Sequence, residues 1–347
     1  MSFTHYGLAA AMLLIASVAS AQPSISAADW AAYRDKFVET SGRVIDDGNG
    51  GISHSEGQGY GMLLAVLADN RADFEQIWTF TRTQLLLRDD GLAVWKWDPD
   101  TEPHVTDTNN ATDGDILIAY ALARAGRMWS RQDLTGAASS IANAVGKATI
   151  SKHEGRAILL PAATGFAAGD RQDGPVVNLS YLVFEAFPDL LELAPGYAWD
   201  AVARDGLEMI SRSRFGERQL PPDWLSLQTR PEPANGFAPE FGYNALRIPL
   251  YLARAGSGDP ALLASLQAGM QNAEGNVELV NVTSGAVEKV LSDPGYRAIP
   301  ALVACVMQDK PLPAELRRFT PTLYYPSTLH LLVLSLAAER HQACLSD

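Results

Sequence analysis

Apolar residues recur at i, i+3 and i+4 along most of this chain, as in Phe74, Ile77, Trp78 and Leu85. That spacing gives a helix one apolar face. Eleven segments carry it: 27–39, 55–68, 71–87, 112–125, 134–147, 176–187, 197–211, 239–254, 260–271, 296–307 and 321–339. Strand-like stretches are few and short. The connections, such as 46–51, 97–104 and 230–236, are rich in Gly, Pro, Asn and Asp, residues that interrupt helices. Amphipathic helices bury their apolar faces on one another. Eleven or twelve of them pair into about six helical hairpins of roughly 54 residues each. Six hairpins can close into a toroid with an inner and an outer layer, so the expected fold class is all-α; an irregular helical bundle is the alternative.

The N-terminus departs from this pattern. Residues 7–18 (GLAAAMLLIASV) are apolar, and Ala19-Ser20-Ala21 follows, the A-x-A pattern that a signal peptidase reads. The expectation is a signal peptide over 1–21, cleaved after Ala21, and an exported chain, periplasmic or secreted, with 22–347 as a single domain. No later run reaches the roughly 18 apolar residues that a membrane span needs. Against 27 Lys and Arg stand 40 Asp and Glu, a net charge of −13. Such a balance does not offset phosphate repulsion, which excludes nucleic acid and anionic membranes as expected partners. Cys305 and Cys344 allow one disulfide in an oxidising compartment or two buried thiols. No Cys/His spacing suits a metal.

Two helix starts look alike: Ser55-Glu56-Gly57 and Thr112-Asp113-Gly114, with their acids 57 residues apart, about one hairpin. In a toroid, Glu56 and Asp113 then sit at one mouth, on neighbouring inner helices. Acids in a first turn also favour the helix dipole, and Ser53 with Glu56, or Thr112 with Asp115, fits a capping box. Gly57, Gly59 and Gly61 suggest a close backbone approach, to a ligand or to another helix. Trp95 and Trp97 in the loop before Asp113, with Tyr60 and Tyr243, are candidates for stacking on sugar rings; Tyr181, Trp224 and Tyr251 join them, and core packing is the competing use of such rings.

The stretches GRVIDDGNGGISHSEGQGYGMLLAVL (42–67) and NNATDGDILIAYALARAGRMW (109–129) resemble the two signature regions of glycoside hydrolase family 8, in the right order. The resemblance runs from Trp30 to near Arg340. It implies an (α/α)6 barrel and an inverting endo-β-1,4-glucanase, similar to those associated with bacterial cellulose synthesis. By motif, Glu56 corresponds to the proton donor and Asp113 to the second acid, which holds the sugar at the cleavage site. Tyr181 in NLSY and Arg247 in YNALR match further active-site positions. The implied partner is a β-1,4-glucan, with a monomer and an association with a cellulose-synthesis complex as expectations. Two carboxyl groups supply both proton transfers, so no metal or organic cofactor is expected.

One position departs from the family pattern. The largest subgroup has an Asp as catalytic base where this chain has Asn244, and a neutral amide is no ordinary base. Three readings follow: another acid serves (Asp113, Asp223, Glu232 or Glu240), the chain is a non-catalytic glucan-binding subunit, or the residue is an engineered trap. The first is preferred. Relatives acting on chitosan, mixed-linkage glucan or xylan are the alternative within the enzyme class.

Overall fold

A computed structural model describes residues 22–346; the expected signal peptide lies outside the described residues. Eleven α-helices are present among them. They are α1 (Ala27–Phe37), α2 (Ser55–Leu67), α3 (Arg71–Phe80), α4 (Thr112–Met128), α5 (Gln132–Thr149), α6 (Phe187–Leu193), α7 (Trp199–Arg212), α8 (Ile248–Ala255), α9 (Pro260–Met270), α10 (Pro294–Gln308) and α11 (Tyr324–Arg340). None of these is long and apolar enough to cross a membrane.

The helices form an (α/α)6 barrel. In the inner ring α2 packs on α4 and α4 on α6. The 3-10 turn Leu179–Tyr181 carries the ring from α4 to α8, then α8 packs on α10, α10 on α11, and α11 back on α2. Burial separates the layers. Every residue of α2 except Glu56 is buried, whereas α7, in the outer layer, buries only Trp199, Val202, Asp205, Gly206 and Ile210 along one face. Each fully buried Leu, Phe or Met contributes about 1.5–3 kcal/mol, so the inner ring holds much of the core. Glycines set its spacing: a Cβ on Gly59 would stand 2.6 Å from Leu117 Cβ on α4. The close approach foreseen in the GQGYG run is therefore to other parts of the fold.

The sixth outer position is filled differently. Residues 309–323 are irregular apart from the 3-10 turn Ala314–Leu316. Beside this stretch Cys305, at the end of α10, is disulfide-bonded to Cys344 after α11, which resolves the alternative left open by the sequence. Inside the ring, Arg254 of α8 is fully buried. It binds Glu185 through Nε at 2.6 Å and Nη2 at 2.9 Å, and reaches the Leu332 carbonyl of α11 at 2.7 Å.

One expected helix, 176–187, does not form, and another, 239–254, begins later than its periodicity suggests. The segment 176–187 starts as the strand Val176–Val177 and a turn closed by Asn178, whose Oδ1 accepts from the Ser180 amide at 3.1 Å. α6 starts only at Phe187, with Pro188 in its first turn. The segment 239–254 starts as the strand Glu240–Phe241, and α8 begins at Ile248, again with a proline, Pro249, next. Proline favours a first turn because its missing N–H is unused there. Periodicity also passed over two antiparallel hairpins, Ile150–His153 with Arg156–Leu159 and Val277–Asn281 with Val287–Leu291; the strand Glu240–Phe241 adds to the second.

Candidate active site

The first turns of α2, α4, α10 and α11, with the segments around Tyr181 and Asn244, surround a cleft of about 660 Å³. Glu56 and Asp113 stand on its floor because α2 and α4 meet at their N-termini. A Cβ on Gly114 would lie 2.1 Å from Ser55 Oγ, so only glycine permits this approach. The strand Ser53–His54 pairs with Lys96–Trp97, and the Ser55 amide donates to the Trp95 carbonyl at 3.0 Å. This ties the tryptophan loop to the start of α2.

The caps differ from the expected capping boxes. The Gly57 amide donates to His54 Nδ1 at 2.9 Å, so the imidazole is the cap, and its Nε2 faces Asp46 Oδ2 at 3.3 Å. Ser53 Oγ instead donates to the Val44 carbonyl at 2.6 Å, and Thr112 Oγ1 to the Leu160 carbonyl at 2.8 Å. Asp115 accepts from the Ala93 amide at 2.7 Å and from Asn110 Nδ2 at 3.0 Å. It thus anchors the loop between α3 and α4.

Arg247 joins the floor. Its side chain is 2% exposed, and Nη1 is ion-paired with Glu56. Nη2 lies 3.2 Å from Asp113 Oδ2, 2.7 Å from Ser180 Oγ and 3.0 Å from Asn244 Oδ1. The guanidinium also lies 5.9 Å from the Tyr181 ring centre. Burial pushes the Asp113 carboxyl up to about 7, and the Gly114 amide opposes the shift by donating to it at 2.9 Å. Burial likewise raises Asp115 to about 7.

Behind Asn244 lies Asp223, 5% exposed. Its Oδ1 accepts from the Gly242 amide at 2.9 Å and the Ala245 amide at 2.7 Å. Its Oδ2 accepts from Asn244 Nδ2 at 3.2 Å and, more weakly, from the Asn244 amide at 3.3 Å. Burial pushes this carboxyl up to about 6.

Of the residues singled out in the sequence, Glu56, Asp113, Tyr181, Asn244, Arg247, Trp95 and Tyr243 all line the cleft. Trp97 does not: its ring packs against His104 at 4.2 Å, Phe80 at 5.7 Å and the Arg43 guanidinium at 5.1 Å. Tyr60 is fully buried and hydrogen-bonded to Tyr251, also buried, so neither ring can stack on a ligand. Trp224 stacks between Phe237 at 4.5 Å and Phe166 at 5.4 Å. Among the acids considered as a base, Glu232 is exposed on a short strand and Glu240 lies on the strand before Asn244; neither lines the cleft. Tyr296, Tyr325, Lys289 and His54 line it without having been singled out. Tyr296 and Tyr325 share a position with Glu56 and Asp113, the first turn of an inner helix, but not the hydroxyl–acid–glycine pattern that marked those two.

Two carboxylates gripped by one buried arginine, in a cleft walled by aromatic rings, suit the chemistry of a glycoside hydrolase. The family model described as Glycosyl hydrolases family 8 matches residues 1–339, and the chain belongs to that family. The "Probable endoglucanase" of Novacetimonas hansenii is 38% identical over 327 residues, 91% of this chain and 92% of that protein. An endoglucanase of Cellulomonas uda is 36% identical over 247 residues, covering 70% of this chain and 67% of its own. The solved structure of endo-beta-1,4-glucanase CMCax from Acetobacter xylinum has a TM-score of 0.81 at 38% identity, over 90% of this chain and 97% of that one.

Proposed function

We propose that this chain is an endo-β-1,4-glucanase that cleaves internal bonds of cellulose-like glucan with inversion. The observation that carries the reading is the Arg247 guanidinium shared by Glu56 and Asp113 on the floor of the cleft. Glu56 protonates the departing glycosidic oxygen. An ion-paired carboxylate has no proton to give, so the bound glucan has to separate Glu56 from Arg247. Asp113 holds the sugar at the cleavage site. Trp95, Tyr181 and Tyr243 offer apolar faces to neighbouring sugars. Its endoglucanase relatives support the substrate class.

Glu56→Gln should abolish release of reducing sugar from carboxymethyl-cellulose while leaving glucan binding in place. Full activity in that variant rejects the assignment. A panel adding chitosan, mixed-linkage glucan and xylan tests the substrate class.

The reading includes export after cleavage at Ala21, with 22–347 as one catalytic domain, and the Cys305–Cys344 disulfide supports it because such bonds persist in oxidising compartments. N-terminal sequencing of the secreted protein tests this. A monomeric state and work beside a cellulose-synthesis complex belong to the same proposal, and size-exclusion chromatography and co-purification test them.

A further inference from the structure

Resting on the glucanase reading, we propose that Asn244 and Asp223 together take the proton from the attacking water, with Asp223 as terminal acceptor and the Asn244 amide as relay. An inverting glycosidase needs a carboxylate that activates water on the face opposite the acid. Three carboxylates line the cleft: Asp46, Glu56 and Asp113. Asp46 is bonded to His54, the cap beside Glu56, and Asp113 is the acid that holds the sugar at the cleavage site in that reading. Asn244 and Asp113 both engage Nη2 of Arg247, away from the Nη1 that pairs with Glu56, and Asn244 alone of the two leads on to a further carboxylate, Asp223.

The amide has one orientation available. A carboxylate accepts and a guanidinium donates, so Nδ2 points to Asp223 at 3.2 Å and Oδ1 to Arg247 at 3.0 Å. Oδ1 keeps a second lone pair for a water in the cleft. Asp223 is 5% exposed and does not line the cleft; the Asn244 amide lies between the two. Burial brings the Asp223 carboxyl to about 6, which suits a proton acceptor near neutral pH.

The step balances. Water gives a proton to Asn244 Oδ1 as Asn244 Nδ2–H passes its proton to Asp223 Oδ2, leaving an imidic acid at 244. The water oxygen bonds to the anomeric carbon, the bond to the glycosidic oxygen breaks, and Glu56 protonates that oxygen. Afterwards Asp223 returns its proton to the nitrogen, Oδ1 releases one to solvent, and Glu56 takes one up.

The test is an exchange of the two side chains, read as kcat and KM on a soluble glucan. Asp223→Asn alone should lose about 100-fold or more in kcat with KM nearly unchanged. Asn244→Asp should remain active, because it places a carboxylate at the cleft. Adding Asp223→Asn to Asn244→Asp should then cost almost nothing, since the pair still has one donor and one acceptor. A purely structural Asp223 would cost the same in both backgrounds, and that result overturns the proposal. So does near-wild-type kcat in Asp223→Asn, or a folded exchange variant without turnover. If the Asp223 variants do not fold, Asn244→Ala decides: a large kcat loss supports the relay and wild-type kcat overturns it. Wild type runs in the same assay, so a glucanase reading that fails shows there first, apart from the relay.

Discussion

Gly114 lies directly against Glu56: a Cβ at position 114 would stand 2.7 Å from the Glu56 amide nitrogen. Gly114→Ala therefore has to push the starts of α2 and α4 apart. Overpacking of this kind costs about 1–3 kcal/mol. The expected outcome is a lower melting temperature together with a kcat loss greater than the loss in binding, measured by calorimetry and by reducing-sugar assay. An alanine variant with wild-type kcat contradicts the role given to this contact.

The Arg254–Glu185 pair is almost free of solvent, at 0% and 5% side-chain exposure. Removing one member strands the other charge, at a cost of about 3–5 kcal/mol. Arg254→Met and Glu185→Gln should each lower stability by that order in urea unfolding. The double replacement should cost clearly less than the two losses combined.

Cys305 and Cys344 close a loop with a sequence separation of 39 residues. Chain-entropy reasoning gives such a link about 4 kcal/mol. The double serine variant should melt earlier, and a reductant should lower the melting temperature of wild type but not of the variant.

Asp115 supplies a pH signature. Burial holds its folded pKa at about 7, above the ordinary carboxyl value of 3.8, so between about pH 4 and pH 7 the folded state binds more protons than the unfolded chain. Its contribution is most favourable below about pH 4 and is lost as pH rises through 7. Asp115→Asn carries no such penalty. The stability of that variant relative to wild type should improve from pH 5 to pH 8, as urea unfolding at the two values would show; a constant difference contradicts the shift.

The helical ring was legible because one-sided burial writes its own period into α5, α7 and their neighbours. The placement of Glu56 beside Asp113 was legible because both starts repeat one pattern at the hairpin spacing. The segments around Tyr181 and Asn244 were not. There, short strands and 3-10 turns precede the helices, and pairs such as Val176 with Ser226 or Phe241 with Val280 join residues far apart in sequence. The capping by His54 was hidden for a local reason: serines at 53 and 55 bracket it and have the stronger capping preference, yet one bonds Val44 and the other is packed under Gly114. Asp223 behind Asn244 is a long-range contact of the same kind, visible only once the chain is folded.

The burial of every α2 residue except Glu56 has a mechanical consequence. Glu56 is mounted on a rod clamped along its whole length, whereas Asn244 precedes a 3-10 turn that carries Arg247. That turn is held too: Ala245, Leu246 and Arg247 are buried, and Asp223 accepts from the Gly242 and Ala245 amides. With the backbone anchored at both ends, parting Glu56 from Arg247 for each turnover falls to the side chains, and substitutions that loosen either anchor should retune the catalytic cycle.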